Sequence, residues 1–405
     1  MRRHESRPLT AEQRASHARL LVEAHVTPGA LAFHPSKPLT DHLDASRDDL
    51  DRVYDVLLGA ARSGETMLPA ADWILDNHYI IREQFLRIRE HLTKGFYRKL
   101  PKLSSGPLSG FPRVFQIVSD LADSTDNVID EAVLGSFVNA YQDVDFLALC
   151  ELWAIPIMIR IVMIERLEGL SREILTSHEI RDAVEQVTRR IVEVEKEPDQ
   201  SPVPTDGSSF GRGLEAITKH PLFEVDLFLA QVSRSLDTAR GLSQKEREWF
   251  NEAFTERHTS AEQVLEAYTK EESERQVSIA NAITSLRSTS ETDWTHFVED
   301  LSVVERTLRL DPSGVYPHMD SRTRDRYRSQ VEHLAEYSDV SEFDVARQLL
   351  QLAENGASCT HVPKDQHVGW TLFEPCRQRL EDLIGYSPPL GVRARRWIER
   401  HPAPG

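Results

Sequence analysis

Cysteine is scarce: the 405-residue chain has 3, at positions 150, 359 and 376. An odd number without metal-like spacing excludes a disulfide framework and fits a reducing compartment. Aromatic residues make up only 7%. No apolar run is long enough to cross a bilayer, which takes about 20 predominantly apolar residues. The most hydrophobic stretch, residues 152–164, holds both Pro156 and Arg160 and reads as a buried core helix. Behind the N-terminal Arg2-Arg3-His4-Glu5 there is no apolar run either, so no secretory signal is visible. Positive charge is in deficit. With 48 Lys and Arg against 65 Asp and Glu the formal charge is −17, which repels a phosphate backbone and argues against nucleic acid as a partner.

Catalytic signatures are missing as well. The chain has no Gly-x-Ser-x-Gly elbow, no phosphate-binding glycine loop and no His-Glu-x-x-His helix. Asp72 and Asp76 stand one turn apart on a helix flank and read as a solvated face. Asp311 and Asp320 border a turn containing Pro312, Gly314 and Pro317, where aspartates cap. Cys359, His361, His367 and Cys376 match no standard zinc spacing. No catalytic residue, metal ligand or cofactor is therefore assigned to this chain.

What is present is helical periodicity. The 40% hydrophobic and 28% charged content is that of a globular protein, long enough for one large domain or two. Apolar residues recur at helical spacing over residues 12–23, 47–62, 69–92, 111–122, 129–143, 145–167 and 177–194. The pattern resumes over residues 261–286, 291–310, 321–337, 342–354 and 370–383. Strand-like alternation is rare, which predicts an all-α assembly of packed antiparallel helices in two halves. A Pro/Ser/Gly-rich linker, residues 197–213, separates the halves 41–196 and 214–392. Residues 1–40 read as weakly ordered or partly helical, and 393–405 as a basic tail. Ser290 with Asp293 and Ser341 with Asp344 fit capping boxes, and Asp320 fits an N-cap.

Polar residues set among apolar ones are the candidate contacts. The stretch from Gln276 to Leu286 is uncharged; Ile279, Ile283 and Leu286 form a core stripe beside Ser278, Asn281 and Ser285. Those three small polar groups face either another backbone or a ligand. Asn77 and Gln84 lie on the face shared by Trp73, Ile74, Ile81, Phe85 and Ile88, so their amides need partners. His78, on the edge of that face, reads as a packed histidine. Arg98, Lys99, Lys102 and Arg113 make a local basic patch, suited to lipid headgroups, a nucleotide-sugar donor, or the chain's own carboxylates. Arg160, flanked by isoleucines, needs an anion or a carboxylate such as Glu151 or Glu165. Arg322, Arg324, Arg326 and Arg328 pair at i,i+4 on two sides of a helix and read as solvated or salt-bridged.

Several segments carry a family likeness. Gln276-Val-Ser-Ile-Ala-Asn-Ala-Ile-Thr-Ser-Leu-Arg287, Asp293-Trp294, Val304-Glu305, Asp311-Pro-Ser-Gly-Val-Tyr316, Met319-Asp320 and Arg324-Asp-Arg-Tyr-Arg328 resemble the N-terminal region of cyclic β-1,2-glucan synthases. The segments 68–84, 95–113, 151–160 and 367–400 resemble it too. The resemblance implies the cytoplasmic front end of a large bacterial membrane glycosyltransferase, ahead of its membrane and catalytic regions. It implies a membrane-embedded glycosyltransferase core as partner, with glucan or anionic lipid headgroups as further contacts, at the inner face of the inner membrane. The nucleotide-sugar donor and divalent metal of such enzymes are expected in the catalytic region, since this chain carries neither an Asp-x-Asp nor a Gln-x-x-Arg-Trp motif. A free-standing helical carbohydrate-active enzyme and a helical interaction scaffold are the alternatives.

Overall fold

The computed structural model describes residues 8–25, 39–196, 209–354, 366–373, 377–389 and 391–393. Among them there is no strand, and the all-α reading holds. In chain order the helices are α1 (Ala11–Ala24), α2 (Thr40–Arg62), α3 (Pro69–His91), α4 (Lys94–Lys99), α5 (Arg113–Ser124) and α6 (Glu131–Gln142). They continue with α7 (Leu149–Lys196), α8 (Ser209–Thr218), α9 (Asp226–Arg240), α10 (Gln244–Glu256) and α11 (Ala261–Glu291). The last are α12 (Trp294–Leu301), α13 (Val303–Leu308), α14 (Ser321–Glu336), α15 (Glu342–Glu354), α16 (Val368–Leu372) and α17 (Arg377–Leu383), with a 3-10 turn at Tyr316–His318.

The two segments predicted over residues 145–167 and 177–194 are one continuous helix, α7, because nothing between them interrupts the backbone ladder. The segment predicted over 291–310 is two helices, α12 and α13, broken at Ser302, whose hydroxyl accepts from Glu305 N–H at 3.1 Å and starts the second. Ser290 does not cap: it lies within α11 and bonds back to Leu286. Asp293 takes that role, accepting from the N–H groups of Thr295 and His296 at 3.1 and 3.2 Å. Ser341 and Asp320 do start α15 and α14, accepting from Asp344 and Thr323 N–H.

The described residues gather into two compact units. Unit 1 draws on Met1–Asp41, Gln84–Val162 and Ser285–Gly405, and unit 2 on His42–Glu83 and Met163–Thr284. In unit 1, α1 packs on α5 and α6, while α15 packs against α13, α14 and α16. Tyr316, Val331, Leu334, Val345, Leu349 and Leu372 fill the core between the later helices. In unit 2, Phe228 and Val232 of α9 and Phe250 and Phe254 of α10 pack on Val184, Val187 and Ile191 of α7 and Ile217 of α8. The helices α8, α9 and α10 were not foreseen. They are short, separated by a turn at His220–Val225 and by Gly241 at φ 76°, and α10 begins in a dense run of charges. A Ser243–Glu246 capping box starts α10 all the same. Of the linker residues, 197–208 lie outside the described set and 209–213 open α8.

The uncharged stretch of α11 is buried as its pattern demands: Ile279, Ile283 and Leu286 are each 0% exposed. Ser285 serves the backbone. Its hydroxyl donates to Asn127 O at 2.7 Å and accepts from Ile129 N–H at 2.8 Å, holding a turn whose Asp126 and Asn127 have φ of 49° and 66°. Ser285→Ala leaves a buried carbonyl and a buried N–H without this partner, and about 1–3 kcal/mol should be lost. Urea unfolding of the variant checks it, and an unchanged midpoint would refute the role given to the hydroxyl.

Candidate functional site

The sequence segments from Val304 to Arg328 come together in unit 1 as a buried ionic network. Glu305 on α13 is 0% exposed and Arg328 on α14 is 2% exposed, so each needs a full set of partners. Arg328 Nη1 donates to Glu305 Oε2 at 2.7 Å and to Glu299 Oε1 at 2.9 Å. Arg324, one turn earlier on α14, reaches Glu299 Oε2 at 2.6 Å and Glu305 Oε1 at 3.2 Å. Arg309 donates to Glu305 Oε1 at 2.9 Å and lies 3.5 Å from Glu299 Oε2, and the Tyr316 hydroxyl donates to Glu305 Oε2 at 2.6 Å. Burial would raise the Glu299 carboxyl, but hydrogen bonds from Arg324 and Arg328 outweigh it and hold the group below its ordinary value. Burial and the bond to Glu305 push the Tyr316 phenol far up, so it stays a donor.

Next to this network the Asp311 carboxylate accepts four hydrogen bonds. Val368 N–H binds Oδ1 at 3.1 Å, while Tyr316 N–H (3.1 Å), the Ser313 hydroxyl (2.6 Å) and His367 Nδ1 (2.8 Å) bind Oδ2. With Nδ1–H given to Asp311, the His367 Nε2 accepts from the Tyr327 hydroxyl at 3.0 Å. This is not a nucleophilic triad. A nucleophile has to stand at Nε2, whereas Ser313 bonds the carboxylate on the Nδ1 side. The group that does stand at Nε2 is a tyrosine whose burial raises its phenol. A Cβ added at Gly369 would run into the Tyr327 hydroxyl and His367 Nε2, so the cluster is close-packed. Its chemistry is that of a clasp between the turn after α13, α14 and the start of α16.

The nine candidate contacts fall into different settings. Arg113 is 5% exposed and donates to Glu151 (2.9 and 2.6 Å), to Asp145, and to Phe146 O at 3.1 Å. Lys102 turns back on its own loop, donating to Leu100 O at 2.6 Å and to Tyr97 O, with its pKa lowered to about 8 by burial. Lys99 binds Glu332 at 3.2 Å, and Arg98 is exposed with Nε on Lys94 O at 3.3 Å. The four cations therefore do not form one surface. Arg160 donates to Gln84 Oε1 at 3.0 Å and Pro156 O at 2.9 Å, within unit 1; of the two carboxylates suggested for it, Glu151 and Glu165, Glu151 is engaged by Arg113. Asn77 donates to Trp73 O at 2.9 Å; Ser278 is buried and Asn281 half-buried. His78 stacks on Tyr54 at 3.9 Å with Nε2 3.0 Å from Asp51. Glu299 was missed, because nothing in its spacing separates it from the many solvated carboxylates nearby.

Two carboxyls are pushed up by burial to about 7: Glu165 in unit 2 and Glu342 in unit 1. Glu342 Oε2 accepts the Leu149 N–H at 2.8 Å, at the first residue of α7. A raised folded-state pKa favours the protonated form, so Glu342 supports folding below about pH 4.5 and that support is lost as pH climbs towards 7. Glu342→Gln keeps an acceptor for Leu149 without the charge. It should stabilise the protein by about 1–2 kcal/mol at pH 8 and do little at pH 4.5. Urea midpoints at the two pH values test this; equal effects at both would reject it.

Two open clefts lie on the described surface. In unit 1, Lys99, Glu332, His333, Glu336, Arg377 and Tyr386 line a space of about 420 Å³. Its cations are tied to carboxylates, Lys99 to Glu332 of the lining and Arg377 to the neighbouring Glu381 at 2.7 Å. In unit 2, Phe223 and Trp249 border a groove of about 480 Å³ with Glu252, Glu256 and Arg257, the Arg257 guanidinium lying 4.9 Å over the Phe223 ring. No helix among the described residues is long and apolar enough to cross a membrane.

No family model matches the chain. Among curated proteins it is similar to cyclic beta-(1,2)-glucan synthase NdvB of Rhizobium meliloti (strain 1021), 28% identical over 362 residues. That stretch covers 88% of this chain but 12% of the relative, so the chain spans a small part of the protein it matches. On the length and identity of this match, the chain is related to the cyclic β-(1,2)-glucan synthases.

Proposed function

We propose that the chain is a soluble, all-helical region that braces or regulates a membrane glucosyltransferase using a nucleotide-sugar donor, at the cytoplasmic face of a bacterial inner membrane. One observation carries this reading. The residues by which the chain resembles the synthases, among them Glu305, Asp311, Tyr316, Arg324, Tyr327, Arg328 and His367, are interior ties of unit 1 rather than groups open to a substrate. Residues tied up in this way build a scaffold, and a scaffold related to a glucan synthase is best explained as that enzyme's support. The untagged chain should co-purify with a separately expressed membrane region of the synthase and alter its glucan output. Absence of both binding and any change in output would sink the proposal.

A contact with the growing glucan is a second reading, favoured by the Phe223–Trp249 groove and its carboxylates in unit 2. Aromatic faces beside hydrogen-bonding groups are what a sugar site needs. Titration with linear β-1,2-glucan should shift the tryptophan fluorescence, and Trp249→Ala should remove the shift. A response that survives the substitution rejects the groove.

A further inference from the structure

Unit 2 holds three potential metal ligands that no part of the foregoing function uses. Glu65, His178 and Asp182 each offer a donor atom, and these atoms lie within 4.8 Å of one another. His178 and Asp182 are one turn apart on α7, which puts them on the same helix face. Glu65 comes from the turn that ends α2, and that turn is fixed. Gly64, at φ 78°, donates to Ala61 O at 3.2 Å and Glu65 N–H donates to Ala60 O at 3.1 Å, the paired bonds of a Schellman helix end. The Ser63 hydroxyl then donates to Glu65 Oε1 at 2.7 Å, leaving Oε2 to face the histidine.

A second observation points to a ligand. The His178 side chain is 7% exposed, and its Nε2 is buried with no hydrogen bond of acceptable geometry, although Glu65 Oε2 lies 3.2 Å away. On the other side of the ring, Nδ1 lies 3.3 Å from Asp182 Oδ2. A buried Nε2 that faces the Glu65 carboxylate without a proper bond, with an Asp182 oxygen within 4.8 Å of the same donor set, is an arrangement a cation completes. Both carboxylates are partly open, at 37% and 44% side-chain exposure, so an ion has an entry path and room for water.

We propose that Glu65, His178 and Asp182 form a binding site for a first-row divalent transition-metal ion, one ring nitrogen and one oxygen from each carboxylate supplying the protein ligands. The imidazole selects the class: it suits zinc, copper, iron or nickel, with cobalt as a spectroscopic stand-in for zinc, whereas magnesium, calcium and manganese favour all-oxygen sets. The ion joins the end of α2 to the middle of α7, and Ser63 orients one of its carboxylates. The sequence reading assigned no metal ligand here because Glu65 is remote from the His-x-x-x-Asp pair and forms no spacing motif with it.

The test uses the full untagged chain, stripped with chelator and titrated with Co²⁺ or Zn²⁺ by calorimetry, with Co²⁺ absorption as a second readout. One equivalent should bind, with a ligand-field band for cobalt and no matching uptake of Mg²⁺. Glu65→Gln and Asp182→Asn, both at partly exposed positions, should each weaken Kd by about tenfold or more, and Ser63→Ala by a smaller factor. His178→Ala should abolish the band. Should that variant fail to fold, the two carboxylate variants decide alone. No uptake by the unaltered chain, or uptake unchanged in Glu65→Gln and Asp182→Asn, overturns the site.

Discussion

Arg328→Ala should destabilise unit 1 by about 3–5 kcal/mol, the range for breaking a buried ion pair from one side. The loss comes less from the attraction removed than from the charge left behind. Glu305 is 0% exposed and Glu299 is 7% exposed, and both give an oxygen to Arg328. Arg324 still reaches them, at 2.6 and 3.2 Å, and so does the half-exposed Arg309, at 3.5 and 2.9 Å. The most buried guanidinium is gone, however, leaving Glu305 Oε2 with the Tyr316 hydroxyl and Glu299 Oε1 without its Arg328 bond. Arg326, on the exposed side of the same helix, is the control; Arg326→Ala should cost under about 0.5 kcal/mol. Because the chain has two compact units, a midpoint registers the loss but does not localise it to unit 1. Hydrogen exchange of α12, α13 and α14 amides does. Faster exchange there in Arg328→Ala but not in Arg326→Ala is the expected result, and equal exchange in the two variants would refute the network's role.

The arginine helix shows how much of this was legible. Spacing alone places Arg324 with Arg328 and Arg322 with Arg326 on two sides, and the structure buries Arg328 and half-buries Arg324 while leaving the second pair exposed. What spacing cannot say is which side faces the core. That is decided by carboxylates on α12 and α13, and Glu299 looks like any solvated glutamate until the chain folds back upon it. The all-α class and most of the long helices were readable, since Ile279, Ile283 and Leu286, or Ile74, Ile81 and Ile88, repeat at helical intervals and are buried. Helices α8, α9 and α10 were not, their signals being short and cut by turns. The candidate contacts are polar groups set among apolar ones, and the structure gives several of them partners within the chain. Ser285 finds its partner in a turn between α5 and α6, and Arg113 in Glu151 on α7; neither pairing is written in local sequence.

Asp311→Ala should be as damaging as the loss of Arg328, by a different route. The carboxylate is the shared acceptor of two backbone N–H groups, a serine hydroxyl and a histidine N–H, and its removal strands all four donors at once. Hydrogen bonds to a charged group contribute about 1.5–3 kcal/mol each, but strained neighbours relax and some donors find water. A loss of about 4–5 kcal/mol is therefore expected, at the upper end of single substitutions. Asp311→Asn should cost about half as much, since Oδ1 can still accept from Val368 while its amide group opposes the donors on the other side. Burial alone would raise the Asp311 carboxyl; the bonds from His367, Ser313, Val368 and Tyr316 outweigh it and hold the group far below its ordinary value. Folding thus favours the charged form. The stability this gives is present above the ordinary carboxylate value near 3.8 and is lost as pH falls through and below it. Between pH 7 and pH 3 the unaltered protein should lose stability that Asp311→Ala has already lost, so the two urea midpoints converge as the solution is acidified. Parallel curves across that range would show that the four donors do not act through the charge of Asp311, and the clasp joining α14 to α16 would have to be explained by packing alone.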